Sequence, residues 1–259
     1  MMANTIVKAF AAGALLYAAR RYFRDWGTTK AESSGKMPGD ELLSAPVLQA
    51  TEAVWIDAGA ESVWPWLVQM GQERGGLYSF EKLENAVGLR YRNADRIHPE
   101  WQHIAVGDVV RLVPKGWLGL PDGIELSVAE LIDGQSIVLR AQPGLPWDGV
   151  WSFHVIPHWD DRCRLVIRSR LALRHPAEVA VAELFGPARA FITRGILLGI
   201  KRRAEGRGQL ETSGASGAGT GAALHHPGWT GEQEKGRCPG AQDDSRALTC
   251  RNGLPRTAS

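Results

Sequence analysis

Between Asp108 and Leu173 the chain runs through five apolar segments of strand length, 108–113, 124–132, 136–141, 147–157 and 163–173, punctuated by Gly, Pro and Asp. Asp133-Gly134 and His158-Trp159-Asp160-Asp161 join consecutive segments closely enough for antiparallel hairpins. The simplest result is an antiparallel meander. In the last segment Cys163, Leu165, Ile167, Ser169 and Leu171 alternate with Arg164, Val166, Arg168 and Arg170. This period of two predicts the first set inside and the arginines mainly in solvent. His154, between Phe153 and Val155, is expected in solvent too.

The period changes after the sheet. From Ala177 to Glu205 it is helical, with Val181, Leu184, Ala188, Phe191, Gly195 and Leu198 along one stripe. Gly186-Pro187 should break this helix, because proline clashes with the carbonyl four residues earlier. Gly195 and Gly199 suit close packing on a sheet. Before the meander, 47–58 alternates as a strand with Val54 and Ile56 on one face, and a helix should start near Ala60 or at Trp64, with Gly71 as its cap. A second short helix is predicted over 78–87, where Phe80, Leu83 and Val87 share a face and Gly88 ends the pattern.

The 259 residues carry 30 basic and 28 acidic side chains, a net charge of +2, so nothing indicates a nucleic-acid partner. Cys163, Cys238 and Cys250 form no CxxC pair. They argue against a disulfide framework or zinc site and for a reducing compartment, the cytoplasm. No metal or other cofactor is indicated. The chain divides into an N-terminal apolar helix (1–26), a Gly, Ser and Thr-rich linker (27–45), a folded domain (46–206) and a tail (207–259) too poor in apolar periodicity to order itself. The abrupt change of composition at the tail is compatible with a shifted reading frame. Within residues 5–23 the uninterrupted apolar run is Ala9 to Ala19. At helical rise it reaches about 16 Å, roughly half a bilayer core, which leaves a span, a peripheral membrane helix and a cleaved signal all open.

The order strand, two short helices, antiparallel strands, long C-terminal helix, together with the text VWPWLVQMGQERGGLYSFEKLEN and ADRIHPEWQHIAVGDVVRL, resembles the START-like helix-grip superfamily, which includes lipid-transfer and polyketide cyclase/dehydratase-like proteins. The local text is most similar to uncharacterised bacterial members. The resemblance covers about Val47 to Glu205. It implies an α+β fold in which a curved antiparallel sheet wraps a long C-terminal helix, with a cavity between them for a small hydrophobic or amphipathic ligand. Trp66, Tyr78, His98, Trp101, Arg111, Trp151, Phe153 and Phe191 are the residues expected to bind it. Asp95, Arg96, His98, Glu100 and His103 form the densest polar cluster, and His98 or Glu100 would serve as acid or base if the protein were a cyclase or dehydratase. Arg111 would then stabilise an enolate-like oxygen; as a buried carrier residue it would pair with Glu81, Glu84 or an acidic head group. A non-catalytic protein-interaction module is the third reading. No nucleophile elbow or dinucleotide fingerprint is present.

Overall fold

The computed structural model describes Arg20, residues 22–143, Leu145, residues 147–173 and residues 175–217, with side chains to residue 206 apart from Pro176. The apolar run before Arg20 and the chain after residue 217 lie outside the described residues. The elements are α1 (Lys30–Ser34), β1 (Leu48–Ile56), α2 (Ala60–Val68), α3 (Glu81–Ala86), β2 (Val109–Val113), β3 (Ile124–Ile132), β4 (Ser136–Ala141), β5 (Asp148–Trp159), β6 (Arg162–Ala172), α4 (Pro176–Leu184) and α5 (Gly186–Gly217). The strands form one antiparallel sheet in the order β1-β6-β5-β4-β3-β2. This is the helix-grip arrangement, with α2 and α5 packed on the inner face. The helix breaks at the expected Gly186-Pro187, leaving α4 and α5 as separate pieces.

Period-two alternation supplies the inner face: Ile56, Leu126, Val128, Ile137, Leu139, Phe153, Cys163, Leu165 and Ile167 are all buried. Val63, Trp66 and Leu67 of α2 and Ile196, Leu197, Ile200 and Ala204 of α5 close over them. Each large apolar side chain so buried contributes roughly 1.5–3 kcal/mol relative to leaving it in water.

The face that α5 buries differs from the predicted stripe. Ala190, Thr193, Ile196, Leu197, Ile200 and Ala204 point inward, whereas Phe191 and Leu198 are 48% and 38% exposed. The glycines explain the rotation. A Cβ at Gly199 would stand 1.9 Å from the Tyr78 carbonyl oxygen, and one at Gly195 would stand 2.6 Å from the Phe80 ring. They pack on the 78–80 segment instead of the sheet, and the branched residues between them turn onto the strands. The second short helix is also confined to α3, and its buried residue is Glu84, which accepts the Ser79 hydroxyl, while Leu83 and Val87 face water.

The stretch 27–45, expected as a linker, is folded against the outer face of the sheet. Thr29 and Glu32 form a capping box that starts α1, and a 3₁₀ turn spans Asp40–Leu43. Its carboxylates explain a second correction: Arg164, Arg168 and Arg170 are buried, not solvated. Arg164 grips Glu32 through Nε at 2.8 Å and Nη2 at 3.0 Å. Arg168 donates to Asp40 at 2.6 Å, to Thr51 Oγ1 at 3.1 Å, and to the carbonyls of Gly35 and Glu32 at 2.9 and 2.6 Å. Arg170 meets the other Asp40 oxygen at 2.5 Å. His154, also expected in solvent, is enclosed here, with Ser136 and Ser152 hydroxyls each 2.9 Å from its ring nitrogens. Burial, reinforced by Arg168, pushes its pKa down to about 4. Alternation assigned the face correctly; what covers that face was not part of the strand pattern.

Candidate functional site

Where α4 and the first turn of α5 leave the sheet, a cavity of about 550 Å³ remains open. Leu48 and Ala50 of β1, Leu171 of β6, Ala180, Ala182 and Leu184 of α4, Pro187 and Phe23 give it a mostly apolar wall. The helix break borders this space: Phe185 caps α4, α5 begins afresh at Gly186, and Gly186 and Pro187 both line the cavity. Arg20, Arg24, Glu183, Arg189, Gln49 and Ser169 supply the polar part of the lining.

Two charge clusters organise that polar part. Glu183 accepts from Arg20 at 2.7 Å and from Arg24. Deeper in, Glu52 shares the inner face of β1 with Leu48 and Ala50 and is 1% exposed. Arg189 Nη1 donates to Glu52 Oε1 at 3.4 Å and to Ser169 Oγ at 3.3 Å, both long. Arg194 Nε stands 3.7 Å from Glu52 Oε2, which has no hydrogen-bond partner among the described residues. Burial pushes the Glu52 pKa up to about 7, although Arg189 and Arg194 favour its charge. Arg194 is engaged elsewhere too, donating to the Tyr22 carbonyl at 2.9 Å and lying over the rings of Tyr22 and Trp26.

None of the residues expected from sequence to bind a ligand lines this cavity. Trp66, Tyr78 and Phe153 are buried in the packed centre, where the Tyr78 hydroxyl donates to the Trp66 carbonyl at 2.9 Å and the two rings meet edge to face at 5.7 Å. Burial raises the Tyr78 pKa, so it stays a neutral donor. Trp151 packs on Phe153 at 4.7 Å and partly closes the core. Phe191 stacks outside on Phe80 at 4.1 Å.

Arg111 lies on β2 beside exposed Val109 and pairs with Glu125 of the neighbouring strand, at 2.9 Å from Nε, and with Glu73 at 2.8 Å. Its partners are therefore neither Glu81 nor Glu84. His98 stacks on Trp101 at 4.2 Å and meets Glu100 at 3.1 Å, in a loop held by buried Gln69, which accepts from the His98 amide at 3.0 Å and donates to the Arg96 carbonyl at 3.1 Å. His103 lies apart, beside Gln102 and Trp64. The structure thus brings His98, Glu100 and Trp101 together but leaves them away from the cavity.

Glu52 and Arg189 are the residues that sequence reasoning passed over. Glu52 did carry a signal, since it falls in the same alternation class as Val54 and Ile56, where a carboxylate must be buried. Among the described residues no group of His, Cys, Asp and Glu is placed to hold a metal ion, and no helix is long and apolar enough to cross a membrane.

No family model and no curated relative matches the sequence. Solved structures that align with it include norcoclaurine synthase from Thalictrum flavum, at 16% identity and a TM-score of 0.37 over 60% of this chain and 91% of that one. A START superfamily protein from Mycobacterium smegmatis aligns at 16% identity and 0.31, over 58% of this chain and 98% of its own. A protein from Thermobifida fusca aligns at 16% and 0.41, over 63% and 95%. At this distance they carry no functional assignment, and the helix-grip description rests on the strand order and the long C-terminal helix themselves.

Proposed function

We propose that this chain binds a small apolar or amphipathic molecule in the cavity bounded by the β1–β6 edge, α4 and the start of α5. The observation that supports this reading is the apolar-walled space of about 550 Å³, within the range of roughly 300–1,000 Å³ usual for small-molecule sites. Binding is favoured over cyclisation or dehydration because His98 and Glu100, the acid–base pair such chemistry would draw on, are not among the residues lining the space. Exposed Leu184 and Phe185 flank the cavity, and the apolar run Ala9 to Ala19 immediately precedes Arg20 in its lining. Both features favour collection of the ligand at a membrane surface.

Native mass spectrometry of the full chain, purified from its own cells, tests the proposal. It should detect a retained small molecule, and Ala182→Trp, which places an indole in the cavity from the partly exposed side of α4, should lose it while keeping the circular-dichroism spectrum. If the chain retains nothing and binds no apolar probe, or if Ala182→Trp binds the same molecule unchanged, the proposal is wrong.

A further inference from the structure

We infer that the cavity selects an amphiphile with an acidic head group, and that Arg189 is the residue that receives it; this rests on the cavity being the ligand site. A guanidinium has five N–H donors arranged to grip a carboxylate or phosphate with two parallel bonds. Among the described residues, both hydrogen bonds of Arg189 leave from Nη1, and at 3.4 and 3.3 Å both are long. The side chain lines a mostly apolar space and is still 31% exposed, so its unused donors are accessible to an incoming oxyanion.

The other cationic groups nearby are placed differently. Arg20 and Arg24 converge on one Glu183 oxygen, and Arg194, whose Nε is buried without a hydrogen-bond partner among the described residues, is held by the Tyr22 carbonyl and the rings of Tyr22 and Trp26 and does not line the cavity. Glu52 is the natural competitor for Arg189, but its contact is weak and one of its oxygens is unpaired. An anionic head group bound to Arg189 would take over the better geometry, with its alkyl chain along Leu48, Ala50, Leu171 and Ala182. Ser169, already 3.3 Å from Arg189, offers the head group a hydroxyl.

The full chain is titrated calorimetrically with dodecanoate and with dodecanol, which share a tail and differ in charge. One charge-assisted grip corresponds to at least about tenfold tighter binding of dodecanoate. Arg189→Gln should collapse that ratio to near one. Because that variant leaves Glu52 buried beside fewer partners, the double variant Glu52→Gln/Arg189→Gln removes both charges and should give the same collapse. Equal affinities for the two probes in the natural chain, or a ratio that survives both variants, would overturn the head-group inference while leaving the cavity as a ligand site. Failure of both probes to bind would overturn the cavity reading itself.

Discussion

Two buried titratable groups give this domain opposing pH dependences that conceal one another. Glu52 has its pKa pushed up to about 7 from the ordinary 4.5. Between those values the folded chain holds a proton that the unfolded chain has released, so stability falls as pH rises through the window. His154 has its pKa pushed down to about 4 from 6.5. There the unfolded chain holds the extra proton, and stability rises with pH. Each shift is about 2.5 pH units, or on the order of 3 kcal/mol, a large part of the ~5–15 kcal/mol that holds a domain folded.

The natural chain should therefore show only a shallow net slope from these two groups between about pH 4.5 and 6.5. Single variants expose them. Urea unfolding of Glu52→Gln, minus that of the natural chain, should gain on the order of 3 kcal/mol between about pH 4.5 and 7.5. His154→Asn, treated the same way, should lose a similar amount over about pH 4 to 6.5. Subtracting the natural chain removes the carboxylates common to both. Difference curves flat to within about 0.5 kcal/mol would show that neither group is desolvated in the folded state, and the reasoning would fail.

Four further substitutions probe the packing. Arg168→Leu should cost about 3–5 kcal/mol in urea unfolding, because it strips donors from Asp40 and from the Glu32 and Gly35 carbonyls in a buried layer, and limited proteolysis should then cut within 27–44; a loss under ~1 kcal/mol would mean water replaces those donors. Gly199→Ala should destabilise by roughly 1–3 kcal/mol in thermal unfolding through its contact with the Tyr78 carbonyl, whereas Gly206→Ala, with open space around it on the same helix, should be neutral or gain about 0.5–1 kcal/mol. Arg111→Ala should cost no more than about 1 kcal/mol and leave dodecanoate affinity unchanged by calorimetry, since its ion pairs lie at the surface of the β2–β3 edge.

The β2–β6 meander and the helix break were legible because each has a local cause: alternation sets the faces of β5 and β6, Asp133-Gly134 turns the chain between β3 and β4, and Gly186-Pro187 interrupts the final helix, whereas the long-range pairing of β1 with β6 has no local signal. Local pattern could not report what covers a face. Arg164, Arg168 and Arg170 look like a solvated edge until Glu32 and Asp40, more than a hundred residues earlier, are laid over them. Phe191 likewise reads as a core residue by period, and only the approach of Gly199 to Tyr78 turns it outward. The tryptophans were a fair guide to bulk but a poor guide to space. Trp66 fills the centre that the resemblance implied would be hollow, and the open volume moves to the α4–α5 corner.

The two faces of β1 show why one buried charge cluster reads as structural and the other as a binding site. On the outer face three guanidinium groups, Arg164, Arg168 and Arg170, meet two carboxylates, Glu32 and Asp40. The excess positive charge is absorbed by backbone carbonyls of Gly27, Gly35 and Glu32, supplied by a segment with irregular turns whose oxygens are free to accept. On the inner face Arg189 and Arg194 meet the single carboxylate of Glu52. Here the covering element is a helix, whose own ladder consumes its carbonyls, so no comparable set of acceptors faces Arg189. Arg194 escapes through the Tyr22 carbonyl and aromatic faces, and Glu52, held near neutrality by burial, offers Arg189 less than a full counter-charge. Arg168 and Arg170 border a smaller hollow walled mainly by polar side chains, whereas Arg189 borders the mostly apolar one, where the proposed acidic ligand would supply the acceptor.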